Sequence, residues 1–383
     1  MHVSGGTVTA AGLDHLDVID AQVLVGLWLL TAGGIAATVS VAWRTHRHRV
    51  LWAISTGLVA VLLALIASAD TVNAHYAYWP TIGDARQALT GDRQWRSVEK
   101  LSALKPAVHQ KAVQDGMVVK IHLPADRADG FAATTNIAYL PPQYFSDATA
   151  RFPVVYLFHG TPGRAEDWFH AGQAAREGRA VADAGRPAIL VAAQMSRSWT
   201  DDPECVDGIK EKVESHLLQQ VIPTVDATLR TQADRAGRIF AGMSAGGYCA
   251  LNLGLRHRNL VATIIDLSGD TVPTHAGGAI VLFGRHNPQA QALVAANSPA
   301  TYTASLPPGP ATRVWLDSGA SDKTIVREMS TLALTLTIEG LRVSWRVRPG
   351  GHTYHVWTAA LHEALPWALG AHPPRRPGSR PGP

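Results

Sequence analysis

The pattern of apolar and polar positions changes character three times along this chain. Segments 21–43 and 50–69 contain no charged residue. At about 1.5 Å per residue, each is long enough to cross a hydrocarbon core of about 30 Å as a helix. From 70 to 115 the pattern is mixed and weak, which predicts a juxtamembrane connector with a helix over about 93–104. From Met117 onward short apolar runs take over. Those at 118–123 and 135–140 read as strands, the second stopped by Pro141 and Pro142. Further runs at 153–158, 188–193, 238–243, 262–267, 313–316 and 343–347 are separated by helical or glycine-rich stretches. Near-continuous apolar strands suit a parallel sheet covered on both faces, with 211–229 and 245–255 as covering helices. The expected fold class is α/β, a mostly parallel central sheet over 116–370, preceded by a two-helix transmembrane hairpin. The Pro-, Gly- and Arg-rich tail, 371–383, is expected to be disordered.

Charge placement orients the hairpin. Arg44, Arg47 and Arg49 lie between the two apolar segments, while Asp14, Asp17, Asp20 and Asp70 flank their outer ends. Positive charge in short loops stays cytoplasmic, so 44–49 is predicted inside, with 1–20 and everything after about residue 70 outside. A cleaved signal peptide is disfavoured, because the leading segment has no Lys or Arg. The charged fraction of only 17% fits a chain partly in lipid, since soluble domains carry roughly 25%. The net charge of +4 invites a nucleic-acid reading, but location removes it. Six arginines, the three in the loop and Arg375, Arg376 and Arg380 in the tail, outweigh the whole excess. No basic stripe remains, and no nucleic-acid partner is expected.

The chemistry centres on Gly242-Met243-Ser244-Ala245-Gly246, preceded by a strand run and followed by a helix start. Strand, sharp turn and helix is the arrangement that exposes a nucleophilic serine on strained backbone. A neutral hydroxyl needs a base, and the base needs an orienting acid, expected in the chain order Ser, acid, His. His352, after Gly350-Gly351 at the end of the last strand run, is the expected base; His355, in the first turn of the following helix, is the rival. Asp322, just past the 313–316 strand, is the expected acid. Asp317 sits closer to that strand and reads as structural, while Asp266 and Asp270 are lesser candidates. An oxyanion needs two preorganised donors. The Ala245 N–H is one; in His159-Gly160-Thr161-Pro162-Gly163 proline has no N–H, so Thr161 is chosen for the other. No metal spacing is completed anywhere, and no cofactor is expected.

Phe152 to Gly160 followed by Trp168, the Gly242–Tyr248 segment, Gly319-Ala320-Ser321-Asp322, and Gly351-His352 with Trp357 match one group in order and spacing. Over roughly 117–369 the chain resembles the esterase D / antigen 85 (mycolyltransferase-like) group of α/β-hydrolases. That resemblance implies a carboxylic-ester hydrolase or acyltransferase working without metal or organic cofactor. The antigen 85 branch has Glu where Asp322 stands, and is exported by a cleaved signal. The leading expectation is a membrane-anchored, outward-facing serine esterase whose partners are the bilayer and a lipid, glycolipid or small acyl ester. The alternatives are an acyltransferase passing the acyl group to a sugar or lipid hydroxyl, and a non-catalytic binding protein.

The chain has two cysteines. Cys205 falls in the loop after the 188–193 strand, and Cys249 in the second turn of the helix after Ser244; in an α/β-hydrolase both border the site. In an oxidising compartment they are expected to bridge. The other reading leaves them as two unrelated small residues.

Overall fold

The computed structural model describes residues 17–43, 49–79, 81–90, 95–98, 114–126 and 128–370. The expected loop at 44–49 (but for Arg49), the tail 371–383 and most of segment 1–20 lie outside them. The chain divides between 94 and 95 into two compact units.

In the first unit, helix α1 spans Ala21–Ala42 and helix α2 spans Arg49–Tyr76; a shorter helix, α3, covers Ile82–Thr90. The Asp20 side chain caps α1 by accepting from the Gln22 N–H at 2.7 Å. Both long helices are apolar almost all round: Thr31 is the one buried residue of α1, and Leu29, Leu30, Leu51, Leu58, Leu62 and Leu65 are all exposed. Each is long and apolar enough to cross a membrane. Helix α2 runs seven residues beyond the expected limit of 69, because residues 70–79 contain no Gly or Pro. Asn73 brings the chain round beyond it: its amide donates to the Trp79 carbonyl and accepts from the Trp79 N–H, both at 2.8 Å.

The second unit is a nine-stranded sheet in the order β1-β2-β3-β5-β4-β6-β7-β8-β9. Its strands are β1 (Arg96–Ser97), β2 (Met117–Leu123), β3 (Thr134–Leu140), β4 (Val154–Phe158), β5 (Ile189–Ala193), β6 (Arg238–Met243), β7 (Thr263–Leu267), β8 (Arg313–Gly319) and β9 (Arg342–Arg348). Strand β3 is antiparallel to both β2 and β5; every other pairing is parallel. Every residue of β4, β5, β6 and β7 is buried, which is why these strands read as unbroken apolar runs. The helix expected at 93–104 is contradicted where it is described. Arg96 and Ser97 pair with Val119 and Lys120 at the sheet edge, so a tertiary partner overrides local pattern.

Helices Ala174–Asp183 (α4), Ala245–Arg256 (α5), Lys323–Ile338 (α6) and Tyr354–Leu369 (α7) flank the sheet. The helix expected at 211–229 is realised as Val213–Ser215, a π-helical stretch His216–Val221, and Ile222–Thr228. The ladder widens just before Pro223, whose ring cannot accept a normal α turn beneath it. The carboxyl ends of β4, β6, β8 and β9 point to one edge, and the loops leaving them carry the expected site residues.

Candidate active site

The turn between β6 and α5 is held at close quarters. A Cβ at Gly242 would come within 1.8 Å of the Gly246 carbonyl, and one at Gly246 within 2.0 Å of the Phe158 carbonyl. Only glycine fits either place. Between them Ser244 takes φ 54° and ψ −128°, a region that costs an L-residue on the order of 1–3 kcal/mol. The strain is sustained by the packed turn and by the Ser244 N–H, which donates to the Leu267 carbonyl at 2.9 Å. Ser244 thereby stands at the N-cap of α5, where the first N–H groups have no acceptor within the helix.

His352 Nε2 lies 2.8 Å from Ser244 Oγ, and His352 Nδ1 lies 2.7 Å from Asp322 Oδ2. A carboxylate only accepts, so Nδ1 carries the proton and Nε2 is left to accept from the serine hydroxyl. The two loops that present His352 and Asp322 are bonded to one another: the Ala320 N–H donates to the Arg348 carbonyl and the Ser321 N–H to the Gly350 carbonyl, both at 2.8 Å. Trp357 stands edge-on to the imidazole, ring centres 4.9 Å apart, fixing its plane from the α7 side.

The rivals are placed elsewhere. His355 is exposed on the first turn of α7. Asp317 is buried inside β8, which runs three residues past the expected 316, and Arg348 grips both its oxygens at 2.8 and 2.6 Å. Asp266 is buried beneath the turn, accepting from the Gly269 N–H at 2.8 Å. Asp270 accepts from Thr274 Oγ1 at 3.4 Å, and burial pushes its carboxyl up, opposed by its nearness to His352.

Gly160 lies against Ser244: a Cβ there would be 3.3 Å from Ser244 Cβ. This brings the loop that carries Thr161 close to Ser244. Residues that sequence reasoning passed over support the loop. His159 is buried, its basicity lowered to about 4 chiefly by burial. Neutral, it donates from Nδ1 to the Gly160 carbonyl at 2.8 Å and accepts from the Met195 N–H at 3.2 Å, tying the loops after β4 and β5 together. Asp202 accepts from Thr161 Oγ1 at 3.4 Å. Glu204 is buried, its carboxyl pushed up to about 8 by burial and then by the charge of Asp202. The only advance signal for these three was position in a loop at a strand end. Cys205 and Cys249 form a disulfide, Cα atoms 5.3 Å apart. Among the described residues no group of three or more His, Cys, Asp or Glu is arranged to hold a metal.

The sheet, the elbow turn and the loops at its carboxyl edge make the second unit an α/β-hydrolase. A family model described as "Putative esterase" matches residues 132–368, more than half the chain, and the chain belongs to that family; it is a serine carboxylic-ester hydrolase. Among curated proteins it is 26% identical over 349 residues to an uncharacterized protein of Corynebacterium glutamicum, covering 88% of this chain and 80% of that one. It is also 28% identical over 135 residues to an esterase of Mycobacterium tuberculosis, covering 35% of this chain and 29% of the other. Among solved structures, a ferulic acid esterase superposes with a TM-score of 0.57 at 20% identity, covering 67% of this chain and 98% of its own. At that identity the likeness carries the fold.

Proposed function

We propose that this protein is a membrane-anchored esterase whose catalytic unit faces outward and cleaves carboxylic acyl esters through an acyl-enzyme. The observation that carries the reading is the unbroken line from Asp322 through His352 to Ser244 Oγ. As Ser244 Oγ bonds to the acyl carbon, its proton passes to His352 Nε2. The carbonyl π electrons move onto oxygen, which the Thr161 and Ala245 N–H groups receive. Asp322 holds the imidazolium in place. Collapse expels the alcohol, which takes the proton from Nε2. Water then gives its proton to Nε2, attacks the acyl-enzyme and releases the acid, and Ser244 regains its hydrogen.

The outward orientation is supported by charge and by sulfur. Arginines between the apolar segments and aspartates outside them favour a cytoplasmic hairpin loop. A disulfide persists in an oxidising compartment and is rare in a reducing one. The enzymatic reading is tested by turnover of a panel of p-nitrophenyl esters with the full chain in detergent. Hydrolysis by the wild type that disappears in Ser244→Ala is expected; equal rates from both would refute it.

A further inference from the structure

The two proposed oxyanion donors come from parts of the chain far apart in sequence. Thr161 follows β4, and Ala245 opens α5. A third segment touches both. In the loop after β5, the Trp199 carbonyl accepts from the Gly163 N–H at 2.8 Å, and Asp202 Oδ1 accepts from Thr161 Oγ1 at 3.4 Å. Three residues on, Cys205 is bonded to Cys249 in the second turn of α5. The segment between these anchors is not relaxed: Glu204 and Cys205 are consecutive non-glycine residues at φ 57° and 49°. Such a conformation persists only where its surroundings overdetermine it. Here Glu204 accepts from the Thr274 N–H at 2.6 Å, and the bridge holds Cys205. Both sulfur-bearing residues are buried, Cys205 at 3% exposure and Cys249 at 0%, which suits a fixed strut better than a redox switch.

We infer that the 199–205 loop is a brace that sets the distance between the two oxyanion donors, with Asp202 as a positioning residue acting through Thr161. This rests on the reading of the Thr161 and Ala245 N–H groups as the oxyanion site. The brace leaves substrate binding alone and acts where negative charge develops. Its loss therefore lowers kcat rather than raising KM. Removing an oxyanion donor outright costs about 10²- to 10³-fold, so letting one drift costs less, roughly tenfold.

The test uses the full chain in detergent with a p-nitrophenyl ester and an alkylboronic acid. In the boronate adduct, Ser244 Oγ bonds to boron and a boron-bound oxygen occupies the oxyanion position. Thr161→Val keeps the N–H but deletes the hydroxyl; Asp202→Ala deletes the acceptor. Each is expected to lower kcat about tenfold, leave KM within twofold, and weaken boronate binding by the same factor as kcat. Asp202→Asn, which keeps the acceptor, is expected to behave as wild type. The double variant is expected to be no worse than either single one, since both break one contact. Removing both cysteines is expected to lower kcat in the same pattern at temperatures where the protein stays folded. Unchanged kcat and boronate affinity in Thr161→Val and Asp202→Ala, or losses that appear only in KM, would overturn the brace. Failure of the oxyanion reading looks different: kcat would then fall in both variants with boronate affinity unchanged, and failure of the esterase reading would leave Ser244→Ala as fast as the wild type.

Discussion

Glu204 offers a quantitative check on the environment beside the site. It is buried, and its carboxyl is held up to about 8 by burial, reinforced by Asp202 and opposed by the bond from Thr274, against 4.5 ordinarily. Between those two values the folded protein keeps a proton that the unfolded chain has released. Stability therefore falls as pH rises through this window and levels off above about 8. At about 1.4 kcal/mol per pH unit, the rise from pH 6 to 7.5 removes roughly 2 kcal/mol. For a unit of this size that is a drop in Tm of roughly 4–8 °C, at about 2–4 °C per kcal/mol. Glu204→Gln keeps an acceptor for Thr274 and does not titrate. The assay is thermal unfolding of wild type and variant at both pH values, at fixed ionic strength. The wild type is expected to lose about 4–8 °C more than the variant. Parallel curves would show that Glu204 ionises normally in the folded state, and the description of this carboxylate cluster would be wrong.

Three further outcomes are expected. Asp322→Asn should be crippled in kcat, since the imidazole loses the carboxylate that fixes its tautomer, whereas Asp317→Asn should keep turnover but lose stability, on the order of 1–3 kcal/mol, because Arg348 loses the buried carboxylate and keeps only Glu363 as an ionic partner; steady-state kinetics and thermal unfolding on both variants decide it. A reporter active only in the cytoplasm, fused after Leu369, should stay silent; strong activity would reverse the orientation. Non-reducing peptide mapping should recover a linked Cys205–Cys249 species, and removing that bridge should cost roughly 3–4 kcal/mol for a loop of its length.

What could be read beforehand follows the physics of burial and of local turns. Strands β4 to β7 were legible because both faces are covered, so each writes itself as a continuous apolar run. The elbow was legible because glycines two residues to either side of the serine are needed for strand and helix to approach so closely. Strand β1 was not, because two residues at a sheet edge carry no pattern of their own and depend on β2. Helix α2 overran its expected end because the expected limit was the end of an apolar stretch, not a helix boundary. Asp202 was illegible for a different reason: it stands 41 residues from Thr161, and only the order of β5 beside β4 brings the two loops together.

The central claim is that Ser244, activated by His352, is the nucleophile. The most direct measurement is mass spectrometry of the full chain after treatment with a fluorophosphonate, which phosphonylates an activated serine and expels fluoride. One adduct is expected, on the peptide carrying Ser244, formed at least about 10³-fold more slowly in His352→Ala, since nucleophile and base act as a unit. An adduct on another serine, or labelling of Ser244 at an undiminished rate in His352→Ala, would contradict it.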